Sequence, residues 1–255
     1  MPHVAAGTLT LVPVGVGAAY ARPGEAQSAY LVETPGAAVL LDLGAGALNR
    51  LQGLTAPESL AAVVISHMHP DHCADLFALR VYMAWGPGRG RRLRVVGPPG
   101  LRGALAGFAG EDGWDDAFAF EELTGEDGAI ELAGGLALRY ARVPHLSPTY
   151  ALRLDWGGRS VCYSADCAEN DALPRLAEGA GLLVAECSFG AEPVPEGVPH
   201  LGGREAGRIA ARAGVGRLLL THCYPEFDRD AALAAARREF EGAVDWARQD
   251  EAVPS

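Results

Sequence analysis

Three of the chain's seven histidines fall in the stretch Ser66-His67-Met68-His69-Pro70-Asp71-His72, and this stretch constrains the fold more than any other. It is preceded by residues 61–66, a near-continuous apolar run of the kind that forms a strand buried on both faces. It is followed by residues 71–85, where Leu76, Leu79, Tyr82 and Met83 recur at helical spacing. The histidines therefore stand at a strand-to-helix junction, where the backbone turns and side chains can converge on a point. Neutral imidazoles suit a borderline cation such as zinc, and a carboxylate among them adds charge.

Matching groups close other strand-like runs. His145 follows residues 136–143 through Pro144, Asp166 follows the run that ends at Ser164, and His222 directly follows residues 217–221. A site on one rim of a sheet requires groups at the ends of several strands, whereas histidines satisfied inside a core would be scattered within elements. Further β-favouring runs lie at 9–14, 29–33, 38–42, 93–96, 150–154, 160–164 and 182–186, and Gly157-Gly158 is predicted as a hairpin turn. Helical character is predicted at 101–108, 203–213 and 229–240, the last capped by Asp228. Residues 110–128 are acidic and give no assignment. Without a linker or a short-period repeat, the order sheet, helices, sheet, helices predicts two β-plus-α halves packed face to face, one layered α/β domain over residues 1–255.

Composition removes several chemistries. All 21 basic residues are arginine, so Schiff-base catalysis and a Walker-type phosphate lysine have no residue to run on. The formal charge of −11 repels a long polyanion, which makes nucleic acid a disfavoured partner and a small anionic substrate the expected one. The five cysteines (Cys73, Cys162, Cys167, Cys187, Cys223) contain no C-x-x-C pair, and reduced thiols are expected rather than a disulfide framework or a zinc knuckle. No run of about 18 apolar residues offers a membrane span, and residues 1–20 lack the basic start of a secretory leader, so a cytoplasmic protein without membrane contact is expected. A homodimer is a reasonable assembly for such a chain. Gly86-Pro87-Gly88-Arg89-Gly90-Arg91-Arg92 is the one concentrated basic patch, read as a solvated loop, with phosphate steering as its alternative role. Met68, Trp85, Trp114 and Trp156 are read as ordinary packing.

The H-x-H-x-D-H pattern of His67, His69, Asp71 and His72, followed by His145, by Tyr163-Ser164-Ala165-Asp166 and by Leu220-Thr221-His222, resembles the metallo-β-lactamase superfamily almost end to end. Leu41-Asp42-Leu43-Gly44 resembles that family's early Asp-Gly turn. The resemblance implies a four-layer αββα sandwich of two mixed β-sheets flanked by helices. It implies that His67, His69 and His145 hold one divalent metal ion, that Asp71, His72 and His222 hold a second, and that Asp166 bridges the two. Zinc is the expected ion, with manganese or iron as alternatives, and Cys223 is a minor alternative ligand. Asp at 166, where zinc β-lactamases usually carry Cys, argues against antibiotic hydrolysis.

Glu186, in Val184-Ala185-Glu186-Cys187-Ser188-Phe189, and His200, in His200-Leu201-Gly202-Gly203-Arg204-Glu205-Ala206, are similar to the ribonuclease Z-like branch and would join the active site. The implied mechanism uses a water acidified between two metals, Asp71 to orient it, and His200, oriented by Glu186, to protonate the leaving group. Only about 20 residues separate His145 from Asp166, too few for the tRNA-gripping arm of many ribonuclease Z enzymes. A small phosphodiester, cyclic ones included, is therefore expected before a folded RNA. The alternatives are a lactone or thioester hydrolase of the same fold, a ribonuclease Z-like RNA endonuclease, and a metal-dependent binding module without catalysis.

Overall fold

A strand sends alternate side chains to opposite faces, so an apolar run without alternation must be covered on both sides. The computed structural model, which describes residues 7–255, meets that demand with two sheets and two helical layers. Of the leader region considered at 1–20, residues 1–6 lie outside the described residues. Strands β1 (Thr10–Gly15), β2 (Ala29–Glu33), β3 (Ala38–Leu41), β4 (Ala62–Val64), β5 (Leu93–Gly97) and β6 (Phe118–Glu122) build the first sheet. The second contains β7 (Asp127–Glu131), β8 (Ala137–Val143), β9 (Thr149–Trp156), β10 (Arg159–Tyr163), β11 (Leu182–Glu186), β12 (Arg217–Thr221) and β13 (Ala243–Trp246). A short β14 (Val253–Pro254) returns to the edge of the first sheet beside β1.

Both sheets are mixed. Pairing is antiparallel from β14 through β1 and β2 to β3, then parallel through β4 and β5 to β6. The second sheet repeats this scheme, antiparallel from β7 to β10 and parallel from β10 to β13. The predicted Gly157-Gly158 turn closes the β9–β10 hairpin, with φ of 57° and 78° at its two glycines, the left-handed pair that a two-residue hairpin requires.

Three apolar clusters define the layers. Leu11, Tyr30, Val39 and Val64 of the first sheet meet Leu138, Leu152, Val161 and Val184 of the second in a central core. The outer face of the first sheet (Leu31, Leu40, Val63, Val95) is covered by α1 (Ala47–Leu54), α3 (Leu76–Trp85) and α4 (Leu101–Ala109), which follow the short α2 (Pro70–Cys73) or flank it in sequence. That of the second (Cys162, Leu183, Leu218, Leu220) is covered by α5 (Ala172–Leu176), α6 (Gly203–Ala213) and α7 (Arg229–Arg237). The architecture is the expected four-layer αββα sandwich. No helix among the described residues is long and apolar enough to cross a membrane.

Some boundaries differ from the sequence reading, for local reasons. The single helix predicted over 71–85 is two, α2 and α3, because Asp75 donates its N–H to Leu43 O instead of continuing the helical ladder to residue 71. Its carboxylate meanwhile accepts from Leu48 N at 2.8 Å. The helix predicted over 229–240 ends at Arg237; its cap is as expected, with Asp228 accepting from the N–H groups of Asp230 and Ala231. Within the unassigned acidic segment lie β6 and the first residues of β7, while α1, α5, β13 and β14 were not anticipated.

Strands β8, β10, β11 and β12 run in one direction, so the segments that follow them emerge on one rim. The first sheet meets that rim through main-chain bonds across the sandwich, Tyr150 N to Ser66 O (3.1 Å) and His222 N to Val16 O (3.0 Å).

Candidate active site

Each predicted ligand sits just past a strand end on this rim. His67, His69, Asp71 and His72 follow β4, with His72 and Asp71 in the α2 turn; His145 follows β8, Asp166 follows β10, Glu186 ends β11 and His222 follows β12. Three of the four described non-glycine residues with positive φ belong here: Asp42 (58°), Ala165 (52°) and His222 (55°). Such conformations are tolerated where surrounding structure holds them, and they aim side chains that a regular strand would direct elsewhere.

The side chains converge. His67, His69, His145 and Asp166 form one group that could hold a metal, and Asp71, His72, Asp166 and His222 form a second, their candidate donor atoms all within 4.8 Å of one another in each group. Asp166 belongs to both, and to a third such group with Glu186 and His200. Within the second group, His72 Nε2 stands 3.3 Å from His222 Nε2 and 3.4 Å from Asp166 Oδ1, and His222 Nε2 stands 3.1 Å from Asp71 Oδ2. In the first, His145 Nε2 faces His69 Nδ1 at 3.1 Å, and His67 Nε2 lies 3.9 Å from Asp166 Oδ2.

Hydrogen bonding at the far side of each ring determines which nitrogen is free. His72 Nδ1 donates to Asp42 Oδ2 at 2.7 Å, which leaves its Nε2 as a lone pair when the ring is neutral. His145 Nδ1 donates to Pro199 O at 3.1 Å, with the same consequence. Ser66 Oγ gives its one hydrogen to Asp42 Oδ2 (2.8 Å) and so accepts from His67 Nδ1 (3.0 Å). Lone pairs are thus turned toward one another and toward carboxylates, an arrangement that costs free energy until a cation sits among them. His67 Nε2 and Asp166 Oδ1 are buried without any hydrogen-bond partner, as expected of atoms reserved for a metal. The donor set, imidazole and carboxylate, fits a borderline divalent ion.

Burial, followed by the neighbouring imidazoles, lowers His67 well below the usual histidine range, and burial chiefly lowers His69 and His145. His72 and His222 are also pulled down by burial, but Asp166, with Asp42 for His72 and Asp71 for His222, outweighs it and raises both. Burial would raise the Asp166 carboxyl; the His222 and His72 charges win and hold it well below the usual range.

Behind the second group lies a hydrogen-bonded pair, His200 and Glu186. His200 Nδ1 donates to Glu186 Oε1 at 3.0 Å and lies 4.0 Å from Asp166 Oδ2. Burial lowers His200, yet the charge and hydrogen bond of Glu186 outweigh it and push the imidazole up to about 9. Glu186 is fixed by Cys167 N–H (2.9 Å) on Oε1 and by Ser188 N–H (3.2 Å) and Ser188 Oγ (2.6 Å) on Oε2. Cys223 joins neither metal group, and Cys73, Cys167 and Cys223 are buried thiols.

The sequence reading quoted Asp42, Gly44 and Ser188 without giving them roles. Asp42 anchors His72 directly and His67 through Ser66. A Cβ on Gly44 would stand 2.1 Å from Asp71 O, so only glycine lets the α2 turn pack against this segment. The Arg-rich loop is exposed; Arg91 and Arg92 bond to the main-chain oxygens of Glu58 and Phe118 and contribute nothing to the cluster.

The αββα sandwich with paired His/Asp groups on one rim defines a metallohydrolase of the β-lactamase fold. The chain belongs to the β-lactamase superfamily: the family model described as "Beta-lactamase superfamily domain" matches residues 38–223. It is 36% identical over 257 residues to an uncharacterized protein of Mycobacterium leprae, covering 95% of this chain and 89% of that one. It is 31% identical over 247 residues to the "Probable metallo-hydrolase YhfI" of Bacillus subtilis, covering 92% and 95% of the two chains. The crystal structure of YhfI superposes with a TM-score of 0.89 at 28% identity, over 97% of this chain and all of that one. A ribonuclease Z of Mycobacterium marinum is 30% identical over 263 residues, 91% of this chain and 93% of its own length.

Proposed function

We propose that this chain hydrolyses small anionic phosphodiesters, cyclic ones included, with two divalent cations, of which zinc is the expected kind. The observation that carries the reading is the Glu186–His200 pair, a proton donor held 4.0 Å from the carboxylate that both metal groups share. Opening a phosphodiester expels an alkoxide, which needs a proton at the moment it leaves. Ester chemistry on phosphorus also agrees with the similarity to a ribonuclease Z.

His67, His69 and His145 would hold one ion and Asp71, His72 and His222 the other, with Asp166 between them. When bound, the ions supply an acidified water near neutral pH and positive charge for the phosphoryl oxygens. Asp71 faces His222 and His72 through Oδ2 and has its second oxygen to orient the attacking water. His200 keeps Nδ1 on Glu186 and delivers the proton of its other nitrogen to the departing oxygen. Two features favour a small substrate over RNA. The interval between His145 and Asp166 is taken up by the β9–β10 hairpin, and the chain carries −11.

The test is a parallel screen of the metal-loaded protein on bis-p-nitrophenyl phosphate, cyclic and linear alkyl phosphodiesters, lactones and thioesters. Turnover confined to phosphodiesters is expected; turnover confined to lactones or thioesters overturns the reading in favour of acyl chemistry. His200→Ala should lose about 10²- to 10⁴-fold on alkyl leaving groups while p-nitrophenolate release changes little.

A further inference from the structure

His222 must present one nitrogen to the second metal group, and nothing on its own strand decides which. Its Nδ1 meets Ser188 Oγ at 3.0 Å. That hydroxyl has a single hydrogen, and the contact of 2.6 Å to Glu186 Oε2 claims it, since a carboxylate can only accept. Ser188 Oγ must therefore accept from His222, which places the ring proton on Nδ1 and leaves Nε2 as a lone pair toward Asp71, His72 and Asp166. Ser188 is fully buried, so no bulk water can replace it.

We infer that Ser188 is a positioning residue that orients the metal ligand His222 and couples it to the proton-donating pair, an assignment that rests on the binuclear reading of the site. Glu186 then does two jobs through its two oxygens. Oε1 holds His200 directly, and Oε2 holds His222 through the Ser188 hydroxyl. The left-handed backbone at His222 (φ 55°), held by its N–H on Val16 O (3.0 Å), turns the residue out of the strand and leaves the orientation of the ring to its side-chain partners. The other four histidine ligands owe nothing to Ser188. His72 leans on Asp42, His145 on Pro199 O and His67 on Ser66, while His69 faces His145. The effect of losing Ser188 is thus confined to the ion held by Asp71, His72 and His222.

The assignment is tested on the full chain by zinc titration against a chromogenic chelator, comparing the parent, Ser188→Ala, Ser188→Thr and His200→Ala. Ser188→Ala should weaken one of the two zinc affinities about 10- to 100-fold and leave the other at its parent value, as removal of a ligand's hydrogen-bond partner typically does. Ser188→Thr, which keeps the hydroxyl, should restore it, and His200→Ala should leave both affinities unchanged. Parent-like binding of both ions by Ser188→Ala overturns the assignment. Long-range ¹H–¹⁵N correlation of the histidine rings in the parent supplies a readout that needs no variant to fold: the His222 proton is expected on Nδ1, and a proton on Nε2 in the zinc-loaded protein overturns the assignment. A parent chain that binds only one zinc ion instead sinks the binuclear reading, and the role of Ser188 with it.

Discussion

Asp42→Asn isolates the anchor behind both metal groups. Asp42 Oδ1 accepts from Ser66 N at 2.7 Å, and Oδ2 accepts from Ser66 Oγ (2.8 Å), His72 Nδ1 (2.7 Å) and Tyr163 Oη (3.0 Å). The residue is fully buried, so none of these donors has water to turn to. Asparagine keeps the shape and tolerates the left-handed backbone at this position as aspartate does, which leaves the chemistry of one group as the only change. With the amide oxygen at the Oδ2 position three bonds survive, each now to a neutral acceptor, and the amide NH₂ confronts Ser66 N–H. Reversed, it confronts three donors. The better orientation forfeits one bond to a charged acceptor, about 1.5–3 kcal/mol, and weakens the others, so a loss of about 2–4 kcal/mol is expected. For a domain of this size that lowers the melting temperature by roughly 4–16 °C. Thermal denaturation in the presence of a chelator measures it without metal. A chelator titration of the same variant should then show the ion beside His72 bound about 10-fold more weakly. An Asp42→Asn protein that melts with the parent and holds zinc equally well would refute the account of the anchor.

Three further outcomes follow from the same geometry. Asp166→Ala removes the oxygen pair common to both groups, and elemental analysis should find metal depleted; two ions per chain with full activity would show that Asp166 does not bridge. Gly44→Ala forces its Cβ against Asp71 O and, at 2.7 Å, Gln27 Cβ, so the α2 turn must move; destabilisation of about 1–3 kcal/mol and weakened zinc binding are expected, and a parent-like chelator titration would contradict the packing argument. Acidification should release the two ions in sequence. His72 and His222, raised by their carboxylates, take up protons at higher pH than His67, His69 and His145, which burial lowers, so the ion of the second group leaves first. Because the first group's histidines have folded-state values below the unfolded value of about 6.5, the metal-free fold should gain nothing from them at low pH; their contribution is present above that value and is lost as pH falls from it through the lower folded-state values. A pH titration of bound zinc in which both ions leave together, or the first group empties first, would reverse the assignment.

Much of this architecture was legible because the buried strands advertise themselves. Ala62–Val64, Leu182–Glu186 and Arg217–Thr221 are apolar runs with no alternation in the parallel parts of sheets covered on both faces, and Gly157-Gly158 supplies the two positive φ values that a two-residue hairpin turn requires. What was missed lacks such a signature. β7 contains a glycine and an exposed alanine and buries none of its five residues fully (Asp127–Glu131), and β14 is two residues held by pairing with β1. α1 starts from Gly46 without a side-chain cap or an acidic first turn, so its beginning carries no local mark. These elements exist because of tertiary contacts that a window of sequence does not contain.

The site divides along the same line. The residues that gather into its two His/Asp groups were readable because metal chemistry restricts the residue types and because His67, His69, Asp71 and His72 are neighbours in the chain. Their supports were not, since each joins residues far apart in sequence: Asp42 to His72 and to Tyr163, Ser188 to His222, Pro199 to His145. A serine or a main-chain carbonyl has no type-specific mark, and its role exists only once two strand ends are brought to one rim. Those supports nevertheless decide the chemistry. An imidazole is a ligand through one nitrogen only if something else holds the proton on the other, and in this chain a carboxylate, two serine hydroxyls and a carbonyl do so for four of the five histidines. Substitutions at the three side-chain supports, Asp42, Ser66 and Ser188, should therefore change metal affinity with no histidine altered, which distinguishes a preorganised metal site from a cluster of histidines that merely happen to be close.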